Sequence, residues 1–189
     1  MVVVLLVGGW LWTKHARAVN EHALAAVAGR LAGRPVHVHC ETWIAQLVDV
    51  SANSGEVWFD QYGHPADSTH LTRSTCGLLD RFRAESTHPE IACLLAVDWS
   101  RWSFARDSGN ACAQRARGTA EAINTLTHES MHLRGVRAEA LAQCNAIKND
   151  AWTTVQLGGT QQQGQAVASF ILALQPGMPT EYQFAAGAC

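Results

Sequence analysis

The order His128, Glu129, Ser130, Met131, His132, followed seven residues later by Glu139, constrains this chain more than any other stretch. Two histidines four apart share a face only on a helix, where their Cβ atoms lie roughly 5–6 Å apart and both imidazoles can converge on one metal ion at about 2.0–2.1 Å. Glu129, one step round the helix from His128, can then reach a water on that ion without being a ligand itself. A third protein ligand would complete such a site and leave the fourth position open, and Glu139 is the nearest candidate. The surrounding sequence suits the demand. The run CAQRARGTAEAINTLTHESMHL reads as one helix, with Ala113, Ala116, Ala120, Ile123 and Thr127 recurring at helical spacing. Gly135 stands where a helix end commonly requires positive φ, and a second helical segment from near Val136 would carry Glu139 back toward the first. The plainer alternative is a pair of satisfied histidines on an amphipathic helix.

With Gly135 and Glu139 behind it, HESMH resembles the zincin superfamily of zinc metallopeptidases, in the branch whose third ligand is a glutamate on the next helix. The likeness covers about thirty residues. It implies His128 and His132 as ligands, Glu129 as general base, Glu139 as third ligand and Zn2+ as cofactor. It further implies a small sheet packed on the motif helix, with an edge strand able to hold an extended peptide or protein substrate. A related branch places a third histidine at the position occupied here by Ala138. The continuation EALAQC is also similar to short exported bacterial proteins carrying this motif.

Composition agrees with one domain. A chain of 189 residues with 48% hydrophobic and 16% charged residues can bury a sizeable core. A net charge of −2, with no basic run, argues against nucleic-acid binding. The seven tryptophans are scattered and read as packing residues, not as a stacking platform.

The first twelve residues, MVVVLLVGGWLW, are uninterruptedly apolar, short of the roughly 20 that span a bilayer but suited to a signal-peptide hydrophobic region. Residues 1–18 are therefore expected to be a signal-peptide-like segment or a truncated membrane anchor, with possible membrane association through residues 2–12. A strand over Val2 to Leu6 is the alternative. Residues 19–189 form the single metal-binding domain. Six cysteines without any C-x-x-C pair favour an exported, disulfide-bonded protein over a zinc finger, in a connectivity the sequence leaves open. Cys112 and Cys144 flank the motif helices, so bridges from them would hold the ligands in register.

The expected fold class is α+β, zincin-like and mostly helical, with a small sheet or hairpin on the motif helix. Val19 to Ala32 is expected to be helical, with Val19, Ala23, Val27 and Leu31 along one stripe, ending at Gly33 and Pro35. Val36 to His39 reads as a short strand. Glu41 to Val50 is ambiguous, with helix favoured, and Glu56 to Thr72 reads as a hairpin. Helices follow over Thr75 to Arg83 and Glu90 to Val97. After the motif pair, which runs to about Leu157, Gly158 and Gly159 make a break. Gly164 to Leu174 is the last helix, before an extended tail.

Among the other histidines, His37 and His39 alternate along a strand and form a weak second metal candidate. His64, His70 and Tyr62 in the hairpin, together with Tyr182 and Arg137, are candidate donors to a developing oxyanion. Two functional expectations result. One is a zinc-dependent hydrolase, a metallopeptidase by resemblance, acting through an activated water with Glu129 as base. The other is a non-catalytic exported or cell-envelope protein with a structural or vestigial zinc site.

Overall fold

Asn110 starts the central helix by accepting hydrogen bonds on its side-chain oxygen from the amides of Cys112 and Ala113, which leaves fewer amides at the helix start unsatisfied. The computed structural model describes residues 2–41, 55–85, 87–102, 109–185, 187 and 189, with residues 2–14 described by their backbone course alone. Its elements are α1 (Val2–Ala32), β1 (His37–Cys40), β2 (Gly55–Phe59), β3 (Pro65–Leu71), α2 (Arg73–Ala84), the short α3 (Pro89–Ala92), α4 (Ala111–Leu133), α5 (Glu139–Gln156) and α6 (Gln161–Leu174). The fold is mostly helical with one three-stranded sheet, an α+β arrangement.

Helix α4 is the spine. Ala113, Ala116, Ala120, Ile123 and Thr127 are all buried, as the helical spacing predicts, and the last seven residues from Thr127 to Leu133 are buried on every side. A helix enclosed all round must be packed by neighbours on several faces. Here α1, α2, α5, α6 and the sheet surround it. Gly135 turns the chain with φ +103°, its amide bonding to the His132 carbonyl at 2.8 Å. The return helix α5 begins at Glu139, not near Val136, because Val136 to Ala138 stay non-helical. That leaves the Val136 carbonyl outside a helix and free to accept from a side chain.

Helices α5 and α6 pack along one another. Gly158, with φ +108°, opens the connection, and Thr160 with Gln163 makes a reciprocal capping box that starts α6 at Gln161, three residues before the expected Gly164. Gly164 instead serves as a contact. A Cβ there would lie 2.5 Å from the Ala151 carbonyl oxygen, so only glycine permits the two backbones to approach this closely.

The sheet order is β1-β3-β2, with β1 parallel and β2 antiparallel to β3. The expected hairpin is thus present, and the strand near Val36 to His39 joins it on the far side. Among the described residues strand β2 is one edge of the sheet, and it runs against α4. Three further expectations need correction. On α1 the buried face is Asn20, Leu24, Val27, Ala28 and Leu31, whereas Val19 is exposed and Ala23 half-buried, a shift of one position round the helix. The helix expected over Glu90 to Val97 is instead one α turn followed by a 3-10 turn over Cys93–Ala96. The strand alternative for Val2 to Leu6 is replaced by the first turns of α1. The ambiguous stretch from Glu41 lies, beyond Glu41 itself, outside the described residues. Among the described residues no helix is long and apolar enough to cross a membrane.

All six cysteines pair, Cys40 with Cys76, Cys93 with Cys112, and Cys144 with Cys189, which suggests an oxidising compartment. The bridges bind β1 to α2, the 3-10 turn to the start of α4, and α5 to the C-terminal tail. The Cys112 bridge sits at the far end of α4 from the motif. The Cys144 bridge lies five residues beyond Glu139.

Candidate metal centre

The end of α4 and the start of α5 bring His128, His132 and Glu139 onto one point. His128 Nε2 lies 2.9 Å from Glu139 Oε2 and 2.9 Å from His132 Nε2, and His132 Nε2 lies 3.2 Å from the same carboxylate oxygen. Three ligands at tetrahedral corners around an ion at about 2.0–2.1 Å stand about 3.3 Å apart, so this triangle needs only slight opening to hold one. The two rings are buried, while the Glu139 side chain is 37% exposed and gives the site its opening to solvent. Glu139 also occupies the first turn of α5, where the helix dipole favours a carboxylate.

The remaining ring nitrogens decide what the triangle can bind. His132 Nδ1 lies 2.6 Å from the Val136 carbonyl, which can only accept, so the Nδ1 proton is there. His128 Nδ1 meets Gln143 Oε1 at 3.0 Å. The orientation of that amide is set in turn: Gln143 Nε2 donates to Asn124 Oδ1 at 3.0 Å, and Asn124 Nδ2 donates to Asp150 Oδ2 at 2.9 Å. With the amides oriented this way, Gln143 presents its carbonyl oxygen to His128 Nδ1, which donates to it. With both Nδ1 positions donating, two nitrogen lone pairs and a carboxylate oxygen face one another. A proton or a cation must lie between them.

Protonation tendencies agree with this crowding. Burial, and then the neighbouring His128, push the His132 imidazole below its ordinary value, so it stays neutral as a ligand must. The hydrogen bond with His128 holds the Glu139 carboxyl below the usual range against the effect of its partial burial. Asp150 is fully buried, and burial pushes its carboxyl up to about 7 against the hydrogen bond that Asn124 donates to it.

Glu129 lies under the sheet edge. Its Oε2 is buried with no hydrogen-bond partner. Burial first, then the charges of Glu139 and Glu56, push its carboxyl up to about 8. Strand β2 passes directly over it: a Cβ on Gly55 would come 2.7 Å from Glu129 Cγ and 2.9 Å from Oε1. A cleft of about 410 Å³ reaches this point, lined by His128, Glu129, Gly55, Gln143, Met178 and Tyr182 among others. A larger groove of about 620 Å³ lies between α1 and β1 and touches none of the three ligands.

Of the candidate oxyanion donors, Tyr182 is the one drawn to the cleft, its ring centre 5.5 Å from that of His128. Burial, with Glu139 and Glu129 nearby, raises its phenol and keeps it a donor. The tail carrying it is held by the Cys144 bridge. Tyr62 and His64 stand exposed at the β2–β3 turn, His64 paired with Asp60 at 3.1 Å. Arg137 lies over the Phe59 ring, which in turn meets His132 edge-on. His70 packs beside His39, 5.1 Å between ring centres, away from the cleft. His37 and His39 do share the exposed face of β1, and among the described residues no third ligand completes a cluster with them.

Gln143, Asn124 and Asp150 were not singled out by motif, yet spacing carries a trace of them. Asn124 precedes His128 by four residues, Gln143 follows Glu139 by four, and Asp150 follows Gln143 by seven, so Asn124 shares a face of its helix with His128, and Gln143 and Asp150 share one with Glu139. Gly55 and the Val136 carbonyl leave no such trace. No family model matches this chain, and neither curated proteins nor solved structures show a significant similarity to it.

Proposed function

We propose that this chain is a zinc-dependent hydrolase of the metallopeptidase kind, working at His128, His132 and Glu139. The observation that carries the reading is the commitment of both Nδ1 atoms as donors, which leaves three acceptors converging where a cation belongs. Two imidazoles and one carboxylate are a donor set suited to zinc. Bound there, zinc supplies a Lewis acid and lowers the pKa of a water toward about 7.

The protein's own groups supply the rest. Glu129 lies next to His128 in a dry setting that raises its affinity for a proton, so its carboxylate can take one from the attacking water and return it to a leaving amine. The Tyr182 hydroxyl is the donor available to the developing oxyanion. Strand β2, an edge beside Glu129, offers backbone groups along which an extended peptide could align. The three disulfides support an exported setting, secreted or membrane-anchored.

A purely structural zinc site would be closed by a fourth His or Cys, and among the described residues this cluster offers three donors. The decisive experiment pairs two variants against a broad peptide library. Glu129→Gln should keep its zinc and lose hydrolysis by about 10²–10⁴-fold, whereas Glu139→Ala should lose zinc affinity and regain part of its activity on zinc addition. Full activity in Glu129→Gln would refute the assignment.

A further inference from the structure

We propose that Glu85, His88 and Glu90 form a second site for a divalent cation, separate from the His128 cluster and serving to fasten the fold. Glu85 and His88 lie in the connection from α2 to α3 and Glu90 in the first turn of α3, and their ligand atoms all lie within 4.8 Å of one another. His88 is 2% exposed, stacked on Phe82 with ring centres 4.0 Å apart. Its Nε2 meets the Gly158 carbonyl at 3.1 Å, and a carbonyl can only accept, so the Nε2 proton is committed to that bond. Nδ1 is then a bare lone pair, buried and without a partner.

A second orphan stands beside it. Glu85 Oε2 is likewise buried and unpartnered. Buried acceptors without a donor are costly, and a cation held by this cluster would satisfy both. One imidazole with two carboxylates suits zinc or manganese ahead of calcium or magnesium, which prefer all-oxygen cages.

The place of the site indicates its role. His88 joins the connection after α2 to Gly158, beyond the end of α5, whereas Glu139 begins α5. That helix, 18 residues and so about 27 Å long, lies between the two clusters, which share no ligand. A cation here would tie the end of α2 to the start of α3 and fix the His88 ring, whose other nitrogen bonds to the α5–α6 turn.

Zinc is the probe. The full-length, disulfide-bonded protein is equilibrated with zinc, dialysed into metal-free buffer and assayed for bound metal. The parent should hold about two equivalents, one per three-ligand site, and about one should remain in the double variant His128→Ala/His132→Ala. Glu85→Gln/Glu90→Gln should also lose about one equivalent, and its melting temperature should no longer respond to zinc at the second site. If that variant fails to fold, His88→Asn, whose side chain tolerates the left-handed backbone found there (φ 46°), should show the same loss. Zinc content in Glu85→Gln/Glu90→Gln equal to the parent's would overturn the proposal, as would its complete absence from His128→Ala/His132→Ala; the two carboxyls would then share a proton instead. One parental equivalent that survives His128→Ala/His132→Ala and disappears in Glu85→Gln/Glu90→Gln would support this site and refute the first.

Discussion

Replacing Gln143 with Leu should weaken zinc binding at the His128 cluster without touching a ligand. A cation on His128 Nε2 requires the proton on Nδ1, and that proton is received by Gln143 Oε1 at 3.0 Å inside a site where His128 is 5% exposed. Leucine has similar bulk and no acceptor. The zinc-bound form would then carry a buried, unpaired N–H, at a cost of about 1–3 kcal/mol. The zinc-free form escapes most of that cost by moving the proton to Nε2, where Glu139 Oε2 waits at 2.9 Å. Asn124 loses its donor in both forms, so that loss lowers stability but largely cancels in the affinity. The net expectation is a dissociation constant about 5- to 150-fold higher, in keeping with the roughly 10- to 100-fold typical of residues that orient a ligand. Competition against a chelator of known zinc affinity measures it directly. A constant within about twofold of the parent's would show that the amide does not hold the imidazole, and would remove the chain of bonds to Asp150 from the account.

Gly55→Ala should leave the three ligands in place but push the Glu129 carboxyl aside, since the added methyl would start 2.7–2.9 Å from it. Zinc retention with hydrolysis reduced by about 10²-fold is expected, and unchanged turnover would show that β2 yields instead. Opening the Cys144–Cys189 bridge by serine substitution at both positions frees a loop with a separation of 45 residues, worth about 4 kcal/mol on the chain-entropy model. Denaturant unfolding should register it, and a loss below about 1 kcal/mol would mean the tail is held by its packing alone. Asp150, with a folded value about 7 against an ordinary 3.8, retains its proton in the folded protein over a range where the unfolded chain has released it. Folding stability should therefore fall as pH rises from about 4 to about 7, by at most roughly 4 kcal/mol. Asp150→Asn should flatten that slope, and an unaltered pH profile of unfolding would count against a raised value.

Much of the site was legible because it is local. His128 and His132 are bound to one face by the helical period, Gly135 marks a backbone turn that few other residues accept, and Glu139 follows at a distance one short connection can close. Helix α4 and the hairpin of β2 and β3 were likewise written in residue periodicity. What the sequence left open depends on contacts between distant segments. Which cysteines pair, that β1 lies parallel to β3, that Tyr182 and not His64 or Tyr62 reaches the cleft, and that Gly55 roofs Glu129 are all outcomes of packing across long separations. The buried face of α1 slipped by one position for the same reason, since several faces of that helix carry apolar residues and only its partners select among them. A period identifies faces, but only the packed chain determines what each face meets, and at this centre that includes the Val136 carbonyl and the bonds reaching back to Asp150.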